Sequence, residues 1–370
     1  MITRTPKVLL IFLTLFASLT ASTAESAKDM LAAGRIDETI AQLNSHLSSA
    51  SAEAESSNLL CRAYFALEDW DRAESSCRKA ASLDPGNSRF HLWLGRVLGE
   101  KADRANPLAA AVLAVKVRGE FERAVQLNPK DVDARLDLAE FYLEAPGIVG
   151  GGEQKAREQA QFIATVDSGR EHWVYARIAE KRKDTTTAER EYRQYVDLSQ
   201  GDAEAWLNLA LFFRNQKRFD EMEQAIVKLS QAPTAKLEVL EEASGMLYRA
   251  ERSYAFAVEL LHRYLATGPV EAAPAHKAHY LLGTLLEKQG DKAGAAREYR
   301  ASLALVRNFG MEASTQPSCP LRMAGFPARR VVSRMTFQNY CAVGVRRTTI
   351  CASQRNRGLI HAAPDPWITR

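Results

Sequence analysis

Apolar and polar positions along most of this chain follow the 3.6-residue period of a helix, not the two-residue period of a strand. In "ARLDLAEFYLEA", for example, Leu136, Ala139, Phe141 and Leu143 recur with other apolar residues at helical intervals. The segments come in pairs, and the pairs recur with a period of 34 residues. One unit, "AESSNLLCRAYFALEDWDRAESSCRKAASLDPGN" at 54–87, carries an aromatic at Tyr64 and a turn around Glu68 and Asp69. Trp70 opens its second helix, Ala73 and Ala80 keep that helix slim, and "LDPGN" closes it. Counted from Ala54, later units begin near 88, 132, 169, 203, 238 and 276, with a half-formed one over 25–53. The pattern predicts an all-α fold.

The unit resembles the tetratricopeptide repeat, in which small residues let two antiparallel helices approach and a final proline ends the second. "AEAWLNLALFFRNQKRFDEMEQAIVKLSQAP" repeats it with Trp206, Leu209, Ala210, Phe213 and Phe219. "HKAHYLLGTLLEKQGDKAGAAREYRASLAL" does so with Leu282, Gly283, Gln289, Gly290, Ala295 and Tyr299. The resemblance implies seven repeats over 54–308 in a right-handed superhelical solenoid of antiparallel helix pairs. Ser57 stands where a large apolar residue is usual, Cys77 replaces an aromatic, and Glu241 and Ser244 occupy bulky positions of the sixth repeat. The chain is also similar to exported bacterial members of no assigned activity that carry a turn like its "LEAPGIVGGG".

Two repeats carry insertions, near 101–112 and 145–152. In the first, Asn106-Pro107 reads as a cap and helix start that lengthens the second helix at its N-terminal end. In the second, "EAPGIVGGGEQKA" sets Gly147 and Gly150 to Gly152 before a helix, which invites comparison with a phosphate-cradling loop. A nucleotide loop needs Lys and then Ser or Thr after the last glycine, and Glu153 and Gln154 stand there instead. Both insertions fall on one edge of a solenoid. Ile148 and Val149 are therefore expected to fold over Leu108, Val112 and Val115 and shield them.

The first 24 residues carry Arg4 and Lys7, an apolar run from Val8 to Leu19, and small Ser22 and Ala24 placed for cleavage, the pattern of a signal peptide. Export to the periplasm or beyond is expected. The five cysteines, Cys61, Cys77, Cys319, Cys341 and Cys351, include no C-x-x-C pair. Cys61 and Cys77 lie one hairpin apart, as a disulfide or, the simpler reading, as two small buried thiols. The net charge of +4 is uneven: residues 309–370 hold nine arginines against Glu312 and Asp365, while the repeat body is mildly acidic. That basic, non-repeat C-terminal tail reads as disordered and bound to acidic surfaces or nucleic acid, or as an out-of-frame terminus. The abrupt loss of lysine after Lys292, and of acids, favours the second.

No G-x-S-x-G, H-E-x-x-H or activated cysteine marks catalysis, so no enzyme and no cofactor are expected. His276 and His279, three apart, lack a third ligand and read as a solvated helix end, so no metal is expected either. By the resemblance, repeat positions 2, 5, 9, 12 and 13 line a concave groove. These place Asn58, Arg62, Arg96, Trp173, Arg177, Lys181, Arg214, Asn215 and Arg249 there, opposed by Glu140, Glu180 and Glu287. Either this is a solvated face of paired charges, or its arginines bind an acidic peptide. The lysine and asparagine clamp for chaperone C-termini is not reproduced. As exposed charges, Arg62, Arg96 and Arg177 are expected to contribute little to stability. The expected function is a protein-interaction scaffold of the cell envelope, with no nucleic acid bound by the repeat body. A binding subunit for an anionic small molecule or glycan is the alternative.

Overall fold

The computed structural model describes residues 26–45, 50–232 and 238–306. The expected signal peptide, the basic tail and Cys319, Cys341 and Cys351 lie outside the described residues. A short pair, α1 (Ala27–Ala32) and α2 (Ile36–Ser45), comes first. It is followed by α3 (Ala50–Ala66) with α4 (Trp70–Leu83), α5 (Ser88–Arg104) with α6 (Pro107–Leu127), and α7 (Val132–Glu144) with α8 (Glu153–Ala164). Then come α9 (Arg170–Lys181) with α10 (Thr185–Leu198), and α11 (Ala203–Asn215) with α12 (Phe219–Gln231). The array ends with α13 (Glu238–Arg249) and α14 (Tyr254–Thr267), then α15 (Ala275–Lys288) and α16 (Lys292–Leu305). Each pair stacks on the next, so the fold is an all-α solenoid of helix pairs with a main apolar core from α3 to α15 and a smaller second cluster at the first pairs.

Local chemistry sets the helix starts. Asp69, Asn87, Asn106, Asp131, Asp184, Asp202 and Asp291 each cap a helix by accepting a backbone N–H. The turn inside a pair needs one residue in the left-handed region, and it recurs with the period at Gly34, Glu68, Lys183, Lys217, Glu251 and Gly290. The insertions replace that turn in the second and third repeats. In the second, α5 runs on to Arg104 before Asn106 and Pro107 restart the chain, so both helices are lengthened, not the second alone. In the third, the chain leaves α7 at Pro146, makes a 3-10 turn over Gly147–Val149, and reverses at Gly150 with φ 98°.

Small residues let the two helices of a pair touch. A Cβ on Gly95 would lie 2.5 Å from the Phe121 ring. Cys61 and Cys77, both wholly buried, are joined as a disulfide with Cα atoms 5.1 Å apart. This corrects the reading of two free thiols: the α3–α4 hairpin sets them face to face.

A polar pair recurs across the hairpins: His91 with Glu120, Arg135 with Gln159, His172 with Glu191, and His279 with Glu298, each at 2.7 Å. The member from the first helix always holds the fourth place of its repeat. The solvated end expected at His276 and His279 is therefore corrected, since His279 belongs to this column and His276 is fully buried.

The two ends of the array meet. Val306, after α16, shares an apolar cluster with Leu31, Ile36, Leu59 and Ala63 from the first pairs. The Arg62 guanidinium forks onto the Glu271 carboxylate between α14 and α15, and Lys277 Nζ lies 3.5 Å from Glu68. A Cβ on Gly34 would press on the Ala275 backbone nitrogen, 2.7 Å away.

Candidate functional site

Two surfaces stand out, the inner row of first-helix side chains and the edge that carries the insertions. On the inner row, Arg62 from α3 and Arg96 from α5 approach the same ring, their guanidiniums 5.5 Å and 5.1 Å from Trp93. Arg96 Nε donates to Asp137 of α7 at 2.6 Å. One repeat on, Arg177 of α9 donates to Glu140 (2.7 Å), Glu144 (3.1 Å) and Glu180 (2.6 Å). Lys181 reaches the same Glu144 at 3.3 Å. Trp173 is buried, its indole N–H donating to Asn208 at 3.0 Å, and Arg214 bonds Asn215 at 3.2 Å.

These pairs are enclosed. The side chains of Arg62, Arg96 and Arg177 keep only 10%, 15% and 11% of their surface. The expectation that they are exposed charges of little weight is corrected: each is desolvated and held by a carboxylate of another repeat or linker. Burial alone would pull the Arg177 guanidinium down, but the charges of Glu140 and Glu180 more than offset it and hold it well above its ordinary value. Burial pushes Asp137 up to about 6, which Arg96 offsets only in part. Burial and then the charge of Glu241 push Glu242 up to about 8, and burial draws Arg249 below its usual range. Neither amide atom of the buried Asn58, nor Nε of Arg249, has a hydrogen-bond partner among the described residues.

The carboxylates Asp137, Glu144, Glu242 and Glu271 were missed by sequence reasoning. Part of the signal was present. Position nine reads Arg62, Arg96, Glu140, Arg177 in successive repeats, and the change of sign at its third member pairs Glu140 with Arg177. Glu271 gave none, because it lies in a linker.

At the insertion edge, the expected cover is corrected. Val149 is buried, but Ile148 is 95% exposed, and Leu108, Val112 and Val115 remain open to solvent. The 3-10 turn docks lower on α6, where Arg118 donates to the Val149 carbonyl at 3.1 Å. Ile148 therefore faces solvent and does not cover Leu108, Val112 and Val115. The loop amides are spent within the chain: the N–H groups of Gly150, Gly151 and Gly152 donate to the carbonyls of Gly147, Pro146 and Tyr142. An anion would have to break those bonds. Among the described residues no group of three His, Cys, Asp or Glu side chains is placed to hold a metal, and no helix is long and apolar enough to cross a membrane.

The tetratricopeptide repeat model matches residues 58–115, 172–232 and 243–308, half of the chain. The last of these takes in the sixth repeat from residue 243, past its unusual Glu241 but including Ser244. No curated protein matches the chain. Among solved structures, it is similar to that of the MamA protein, at 14% identity over 54% of this chain and 97% of that one, with a TM-score of 0.32. It is similar also to a tetratricopeptide repeat protein from Parabacteroides merdae ATCC 43184, at 14% identity over 69% and 93% of the two chains, with a TM-score of 0.34.

Proposed function

Because this chain belongs to the tetratricopeptide repeat family, whose arrays mediate protein–protein interaction, we propose that it is a non-catalytic scaffold of the bacterial cell envelope that captures a protein partner. The observation that carries the reading is the insertion edge, where Leu108, Val112 and Val115 form an uncovered aliphatic line on α6 and Ile148 is exposed on the turn docked to that helix. No charged residue interrupts α6 from Pro107 to Val115. Contiguous apolar surface of this kind costs solubility and marks sites that a partner covers. An acidic segment entering the groove would have to displace Glu140 and Glu144 from Arg177, so the edge is the primary contact and the exposed Lys181 and Asn215 at the groove are secondary ones. The envelope assignment is supported by the leader-like start of the sequence and by the Cys61–Cys77 disulfide, which suits an oxidising compartment.

The test is crosslinking capture from envelope fractions with the wild-type chain and with a Leu108→Asp, Val112→Asp variant. Both positions are exposed, so the helical signal and melting temperature should be kept while a discrete protein band is lost. Recovery of the same band by the variant, or of none by the wild type, would refute the reading.

A further inference from the structure

The column of polar pairs that recurs across the hairpins is broken in the first full repeat. There the places of His172 and Glu191, or of His279 and Glu298, fall to Ser57 and Ser76. Two long side chains become two short ones, and the space they leave is a cleft of about 310 Å³ between α2, α3 and α4. Leu43, Leu60 and Tyr64 line it together with Ser56, Ser57, Ser75, Ser76 and Asn44. Ser57 is 3% exposed and lines the cleft. The Cys61–Cys77 disulfide ties α3 to α4 beside these serines, so the cleft is held open before a ligand arrives.

The lining indicates the ligand. No carboxylate contributes to it, whereas Arg72 and Lys79 both do. Their present partners, Asp69 and Glu53, form surface pairs that are weak and readily exchanged. Hydroxyls and an amide that can both donate and accept match a polyhydroxy compound, the leucines match the apolar face of its ring, and the two cations match an oxyanion. The volume is at the small end for ligand sites. We propose that this cleft binds a single anionic sugar unit, one bearing a carboxylate or a phosphate. The site is independent of the partner-binding edge and goes beyond that function.

Calorimetric titration of the purified full chain with glucuronate, glucose 6-phosphate, glucose and inorganic phosphate tests the idea. At least one of the two anionic sugars should bind at least tenfold tighter than both glucose and inorganic phosphate, and which one does identifies the anion. A Ser57→His, Ser76→Glu variant restores the pair found in the fourth and seventh repeats and should abolish binding. A Ser57→Leu variant fills the same space without adding charge and carries the same expectation should the double variant not fold. Lys79→Ala, at an exposed position, should weaken the anionic sugar at least threefold. The proposal is overturned if neither sugar binds, if inorganic phosphate binds as tightly, which means an adventitious ion only, or if a folded cleft-filling variant binds unchanged.

Discussion

Replacing Arg177 with Met should destabilise the protein more than any exposed charge deletion, and the loss should depend on pH in a sense set by what is left behind. Arg177 is the shared donor to Glu140, Glu144 and Glu180, of which Glu140 and Glu144 are almost wholly buried. Methionine fills a similar volume, so the packing loss is small and the electrostatic loss dominates. Removing one partner of a buried ion pair costs about 3–5 kcal/mol, because the remaining charge stays desolvated. Here the remaining charges are carboxylates converging on one point, and each raises the other's pKa. In the variant their folded pKa lies above the unfolded one. The folded state then binds more protons, and stability rises as pH falls towards the unfolded pKa. Urea unfolding followed by circular dichroism at pH 8 and pH 5.5 reads this directly. The midpoint deficit against wild type should be largest at pH 8 and should shrink by pH 5.5. Arg78→Met serves as control, since its pair with Glu74 is half exposed and should be worth no more than about 1 kcal/mol. A deficit for Arg177→Met below about 1 kcal/mol, or one equal at both pH values, would refute the account. The same experiment bears on function: binding lost on changing Arg177 cannot be assigned to the groove until folding has been shown intact.

Ser at 149 and Ser at 148 should part company. Val149→Ser removes a buried aliphatic side chain and should cost about 1–3 kcal/mol in urea unfolding, while Ile148→Ser, at a solvent-facing site, should stay within about 0.5 kcal/mol. Equal losses would mean that the turn seats differently on α6. For Glu242, held up to about 8 against an ordinary 4.5, the folded state carries the extra proton between those values, so its contribution to stability falls as pH rises through that window. Glu242→Gln should flatten the melting temperature between pH 5 and pH 8, and an unchanged slope would place the titration elsewhere.

What could be read in advance was whatever depends on residues close in sequence. The cap Asn106, the helix start at Pro107, the turn around Asp69 and the period itself are local, so the helix pairs followed from them. The turn at Glu68 was read, but the left-handed backbone there and at Lys183 and Lys217 was hidden, because the chain places charged residues where glycine is the usual signal. Direction within the insertions was hidden too. That Val149 turns inward and Ile148 outward is decided by one 3-10 turn and the hydrogen bond from Arg118, which no apolar count contains. The inner arginines were legible as a column but not as buried, because burial came from carboxylates one repeat away and, for Arg62, from Glu271 in a linker near the other end of the array.

The meeting of the ends changes how such an array comes apart. A stack held only by neighbours opens from its tips, where the outermost unit has a partner on one side only, and loses units singly. Here Leu31, Ile36 and Leu59 have Val306 as a further neighbour, so the tips guard each other. Synthesis imposes the corresponding wait. The first hairpins leave the ribosome with that apolar face bare, and it is covered only when Val306 emerges behind α16, so the nascent chain carries an adhesive patch while all the intervening repeats are made.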